Sequence, residues 1–127
     1  MRRVDQIRIA IIGASKDRSK FGNKAVRAYL KKGHEVFPVN PHEDEIEGLR
    51  CYASVKDIPG DVEVASFYLP PEVGEKVADE VIEKGVGEVY LNPGSESGAL
   101  VQKLGSAGIR VRLVCSILAV GEDLKEL

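Results

Sequence analysis

Three cations and two hydroxyls crowd one stretch of the chain, Gly13-Ala14-Ser15-Lys16-Asp17-Arg18-Ser19-Lys20-Phe21-Gly22-Asn23. Such a composition suits an anion. Ala14 and Ser15 are small enough for backbone N–H groups to approach phosphate oxygens. Ser15 and Ser19 add hydroxyls, and Lys16, Arg18 and Lys20 add positive charge. The stretch follows an apolar run and opens a helical pattern, the place where dinucleotide folds seat a pyrophosphate. Gly13 suits a tight turn, and Gly22 permits close packing at the helix start. The pattern is neither a strict G-x-G-x-x-G nor a P-loop lysine motif, so its placement rather than its spelling carries the phosphate reading. The competing reading is a solvated turn with charges for solubility.

The end of the second apolar run discriminates between ligands. Nicotinamide-dinucleotide enzymes place an Asp or Glu there to hold ribose hydroxyls. Here the segment reads Phe37-Pro38-Val39-Asn40-Pro41, an uncharged residue and a rigid ring. That fits an adenine or ribose wall, or a plain strand-end turn, and it demotes NAD. Pro70-Pro71 offers a rigid exit from the third run and a flat apolar surface. In Asn92-Pro93-Gly94, Gly94 either admits a ligand to the backbone or shapes a turn. Catalytic candidates are sparse. His34 sits at the far end of the sheet from these loops, and His42 has no evident partner. Glu43, Asp44, Glu45 and Glu47 read as a solvated loop without calcium-loop spacing. Two Cys and two His do not make a zinc pattern, and no nucleophile elbow occurs. Cys115 follows the last strand and reads first as a buried structural thiol.

The elements that must position these loops alternate along the chain. Strands are predicted at Ile7–Ile12, Glu35–Val39, Val62–Leu69, Glu88–Leu91 and Ile109–Val114. Helices are predicted from Asn23, as cap, to about Lys32, at Glu72–Lys84 with Pro71 leading, and at Ser97–Ala107. Ser54 caps a short turn at Val55–Ile58. Val73, Val77 and Val81, with Ala78 and Ile82, form the expected buried stripe of the second long helix. Leu49–Tyr52 is expected to be extended, and the tail from Cys115 to add one helical turn. Alternating strands and helices imply an α/β, Rossmann-like, doubly wound five-stranded parallel sheet with helices on both faces. Ligands then bind beyond the carboxyl ends of the strands.

The 127 residues suit one domain, expected to span 1–127. A formal net charge of −2 supplies no field favouring nucleic acid or a membrane surface. No apolar run approaches the roughly 20 residues needed to cross a bilayer. The charged start, Met1-Arg2-Arg3-Val4-Asp5-Gln6, lacks a signal-peptide core. The expectation is a cytoplasmic protein with both cysteines reduced. Absence of Trp, a single Met and abundant Lys and Glu suit a thermophilic source.

Several motifs in order resemble the small CoA-binding domain proteins, stand-alone relatives of the CoA-binding domain in the succinyl-CoA ligase alpha subunit. They are Ile11-Ile12-Gly13 through Asn23, Gly33-His34-Glu35-Val36-Phe37-Pro38-Val39-Asn40-Pro41, Ile46 through Tyr52, Pro70-Pro71, and Tyr90-Leu91-Asn92-Pro93-Gly94. The resemblance implies a Rossmann-like domain that binds coenzyme A or an acyl-CoA non-covalently. By that resemblance Gly13, Ala14, Ser15, Arg18 and Lys20 meet the phosphates. Val39, Asn40 and Pro41 line the adenosine side, Pro70 and Pro71 border the ligand, and Gly94 lies near the rest of it. Two departures stand out. Tyr90 and Asn92 occupy positions where the family often has Trp and Gln. The last strand is followed by Cys115-Ser116-Ile117-Leu118 rather than Cys-Ile-Met and an acidic residue. Ligase activity uses a phosphohistidine in a second domain and does not carry over. The leading expectation is a non-catalytic binding module with CoA as its small-molecule partner, homo-oligomerisation left open. The alternatives are an NAD(P)-binding oxidoreductase component and a protein-interaction subunit on the same scaffold.

Overall fold

The computed structural model describes residues 4–127, so the reading of the charged start falls partly outside the described residues. Its centre is β1, Arg8–Ile12, where Ile9, Ala10 and Ile11 are fully buried and Ile12 nearly so. Side chains of a strand alternate between faces, so a strand covered on both sides must be apolar throughout. Ile9 and Ile11 join one core cluster, and Ala10 and Ile12 the other.

Four strands flank β1. They are β2 (Glu35–Val39), β5 (Val64–Phe67), β6 (Glu88–Leu91) and β7 (Arg110–Leu113), all parallel in the order β2-β1-β5-β6-β7. Helix α1 (Phe21–Lys31) and the short α4 (Ser116–Ala119) cover one face, and α2 (Pro71–Lys84) and α3 (Gly98–Ser106) the other. This is the expected α/β doubly wound sheet. Pro38 is tolerated in β2 because β2 is an edge strand. Tyr52 covers that edge, its N–H reaching the Pro38 carbonyl at 3.0 Å while its own carbonyl accepts from Asn40 at 2.9 Å.

Local departures from the expected elements have physical causes. Helix α1 begins at Phe21, with extended Lys20 as its N-cap, rather than at Asn23. Asn23 is fully buried inside the first turns because its amide is needed elsewhere. The buried residues of α2 are Gly74, Ala78 and Val81, and Val73 is 43% exposed. A Cβ at Gly74 would stand 3.2 Å from Leu100 and 3.4 Å from Phe67, so the helix approaches β5 and α3 along a side chain-free line. The acidic loop folds into a two-stranded hairpin, β3 (Glu45–Ile46) and β4 (Leu49–Arg50). Its turn is Glu47-Gly48, both with positive φ (51° and 77°), the backbone that two-residue hairpin turns favour. The tail docks on its own sheet through fully buried Ile117. It is held further along by Glu122, whose side chain is 6% exposed and meets Lys31 at 3.0 Å and Lys32 at 3.3 Å.

Candidate functional site

In the order β2-β1-β5-β6-β7 the chain leaves β1 toward α1 on one face and leaves β5 toward α2 on the other. A crevice must open between the two loops at this crossover, which is where doubly wound sheets bind ligands. Here it is a cleft of about 610 Å³. Gly13, Ala14, Ser15 and Lys20 line one wall, Pro70 and Pro71 the other, and Gly94 an end.

The loop after β1 is drawn tight by its glycines. Gly13 has φ +93°, and a Cβ there would lie 2.5 Å from the Tyr68 carbonyl oxygen. A Cβ at Gly22 would lie 2.3 Å from the Gly13 carbonyl oxygen. The start of α1 therefore presses against the loop, and the loop against the end of β5, with backbone alone between them. The N–H groups of Gly13 and Ala14 both point to the Val39 carbonyl, at 3.1 and 3.3 Å. Their contribution to the wall is shape rather than free donors. Asp17 braces the far part of the loop, accepting from the Ser19 N–H at 3.0 Å and the Ser19 hydroxyl at 2.6 Å, and these bonds hold its carboxyl below the usual carboxylate range. Asn23 donates to the Ser15 carbonyl at 2.9 Å and to Glu47 at 3.1 Å.

Caps separate the helices that face the cleft from the long helix that does not. Helix α3 starts on Ser97, whose hydroxyl accepts from the Leu100 N–H at 3.1 Å. Helices α1 and α2 start at the cleft and carry no side-chain cap. Pro70 and Pro71 explain α2, where one missing N–H removes part of the need. The first turn of α1 keeps its amide dipoles directed at the cleft, a setting that favours an anion.

The three cations of the loop have different fates. Lys16 Nζ stands 3.2 Å from Glu43, and Arg18 meets Glu47 at 3.0 Å, both carboxylates coming from the segment that packs over the loop. Lys20 lines the cleft, and no ion pair involves it among the described residues. Of the residues expected to meet the ligand, Arg18 alone lines neither this cleft nor the hollow that adjoins it.

Two further cavities continue the cleft. One, of about 400 Å³, shares Gly13, Asn40 and Leu69 with it and adds Val39, Pro41, Val73 and Val77. The exposure of Val73 thus opens onto this hollow. Asn40 is engaged at both ends of its side chain, donating to the Ala14 carbonyl at 2.8 Å and accepting from the His42 N–H at 2.8 Å. It ties the ends of β1 and β2 together as well as lining the space. The other cavity, about 260 Å³, shares Phe21, Tyr68 and Pro93 with the cleft and is lined by Cys115 and the tail.

Beneath it lies a buried polar cluster that pattern reading misses. Asn92 donates to the Ser66 hydroxyl and the Phe67 carbonyl, both at 2.8 Å, and accepts from the N–H and hydroxyl of Ser116, both at 2.8 Å. The Ser66 and Ser116 hydroxyls stand 2.6 Å apart, and Tyr29 donates to the Ser116 carbonyl at 2.9 Å. Asn92 and Ser116 are among the positions where the sequence departs from the pattern it resembles, and they bond to each other. Burial pushes the nearby Tyr68 phenol up to about 12, the Ser116 and Ser66 hydroxyls opposing part of the shift. Burial likewise raises the Cys51 thiol. His34 accepts the Ile7 N–H at Nδ1, 3.1 Å, and stacks obliquely on Tyr29, far from the cleft. No group of three or more His, Cys, Asp or Glu side chains is placed to hold a metal among the described residues. None of the described helices is long and apolar enough to cross a membrane.

An open doubly wound parallel sheet with a cleft at its crossover defines a domain of Rossmann-like fold. The chain belongs to the CoA binding domain family, which matches residues 8–121. An ADP-forming acetate–CoA ligase of Methanocaldococcus jannaschii is 40% identical over 92 residues, 71% of this chain but 13% of that protein. The alpha subunit of the ADP-forming acetate–CoA ligase II of Pyrococcus furiosus is 40% identical over 84 residues, 65% of this chain and 18% of that one. The chain thus spans under a fifth of the length of these ligases. A solved structure of a conserved hypothetical protein from Pyrococcus furiosus is similar over 83% of this chain and 90% of its own, at 45% identity and a TM-score of 0.78. Relatives from thermophilic archaea accord with the composition.

Proposed function

We propose that the protein binds coenzyme A, free or acylated, without transforming it, and that residues 1–127 act as one binding domain. The observation that carries this reading is the pair of uncapped helix starts facing one cleft, with Lys20 on its wall and no acidic residue at the end of β2. In this reading the phosphates lie against Gly13, Ala14, Ser15 and Lys20, at the first turn of α1. The adenosine side occupies the hollow bounded by Val39, Asn40 and Pro41, and the remaining arm passes Pro70, Pro71 and Gly94. Arg18 contributes from the rim, its charge shared with Glu47. Family membership and the ligase relatives support the choice of coenzyme A over NAD. No nucleophile paired with a base occurs along the cleft wall, which supports binding over catalysis.

Calorimetric titration with CoA and NAD at fixed salt tests this. Saturable CoA binding with NAD much weaker is expected. Lys20→Ala should weaken CoA about tenfold, the scale of one charge-assisted contact, and reduce the salt dependence. Arg18→Ala should cost less, because Glu47 already holds that side chain. Tighter binding of NAD than of CoA would overturn the reading.

A further inference from the structure

The cavity between the tail and the ends of β5 and β6 is distinct in character from the cleft it joins. Phe21, Tyr68 and Pro93 belong to both, so the two spaces are continuous. Beyond that junction the walls are Ile117, Leu118 and Leu124, with Cys115. No charged residue lines it. Its one amide, Asn92, has both ends committed to Ser66, Phe67 and Ser116. The walls therefore offer neither a counter-charge nor a free amide, and a carboxylate placed there would lose its water with only the otherwise unpartnered Tyr68 hydroxyl and the weakly polar Cys115 thiol in exchange. A hydrocarbon chain would lose nothing. The volume, about 260 Å³, lies below the usual range for a drug-sized ligand and suits a short chain attached to something larger held outside.

We propose that this cavity receives the acyl chain of an acyl-CoA, so that the physiological ligand is a short, uncharged acyl thioester rather than free coenzyme A. The proposal rests on the reading of the cleft as the coenzyme site, because the cavity opens from that cleft at Phe21 and Pro93. Half-exposed Leu118, 57% accessible, sits at the rim, where a chain entering the cavity would cover it.

The test is a chain-length series on the protein as it stands: CoA, acetyl-CoA, butyryl-CoA, hexanoyl-CoA and, as the charged counterpart of butyryl, succinyl-CoA. Each methylene entering the cavity should tighten binding about threefold, hence about tenfold from acetyl to butyryl. Succinyl-CoA should bind no better than acetyl-CoA. Leu118→Gln should flatten the slope against chain length. A flat or falling series, or succinyl-CoA matching butyryl-CoA, would overturn the acyl cavity while leaving the coenzyme reading intact. Failure of every member, free CoA included, would overturn both.

Discussion

Replacing Gly22 by alanine should reverse the usual effect of that change in a helix. Alanine is better than glycine in a helix interior by up to about 1 kcal/mol, through lower backbone entropy in the unfolded chain. Gly22 has ordinary helical geometry, so propensity alone predicts a gain. Its Cβ, however, would lie 2.3 Å from the Gly13 carbonyl oxygen and 3.2 Å from the Gly13 carbonyl carbon. These are backbone atoms, and no rotamer change relieves them. Helix and loop must separate by about an ångström, at an overpacking cost of about 2–3 kcal/mol. The net loss should be about 1–2 kcal/mol, or roughly 4–8 °C in Tm. Gly105 in α3 supplies the control, since a Cβ there meets nothing within 4 Å and its φ is not positive. Gly105→Ala should gain up to about 1 kcal/mol. Equilibrium urea denaturation of the three proteins reads both signs, and CoA titration reads whether the displaced loop still binds. Gly22→Ala as stable as Gly105→Ala would refute the claim that backbone contact between α1 and the β1 loop shapes the cleft.

Asn92→Ala strands the Ser116 N–H and the Phe67 carbonyl in a dry interior, and a loss of about 3 kcal/mol is expected by denaturant titration. The pairs that Glu122 makes with Lys31 and Lys32 hold its carboxyl below the usual carboxylate range. A depressed folded-state pKa gives stability that is full above the unfolded value and fades as pH falls through the folded one. The Tm difference between wild type and Glu122→Gln should therefore persist at neutral pH and close below about pH 4. A difference that survives at pH 2.5 would exclude the ion pairs as its source.

The sheet was legible because β1, β2, β5 and β6 come from largely apolar runs ended by Gly, Asn or Pro, while β7, Arg-Val-Arg-Leu on the exposed edge, stands apart and alternates charge with apolar side chains. The loops at the cleft followed from topology once the strands were placed. What escaped reading depends on contacts between distant residues. Asn23 looks like a cap from its neighbours, but its amide reaches Ser15 and Glu47, and the cap lies three residues earlier, at Lys20. The expected stripe of α2 is buried at Ala78 and Val81, with Val77 and Ile82 packed beside them, but at its start the helix turns Gly74 inward and leaves Val73 half exposed, because a missing side chain allows closer approach to Phe67 and Leu100. Lys16 and Arg18 look free until the acidic segment folds over them. The Asn92 cluster joins residues 24 to 87 positions apart, and no local pattern encodes it.

In the proposed site, the bare first turn of α1 would make occupancy and helix stability one equilibrium. An anion resting on the Phe21 and Gly22 amides does for α1 what the Ser97 hydroxyl does permanently for α3. A bound phosphate is in effect a removable cap, and by mass action the folded state gains about 2.7 kcal/mol at a hundredfold excess over Kd. Amide exchange at the start of α1 should slow in step with ligand concentration, while exchange at the start of α3, already capped, serves as the internal reference.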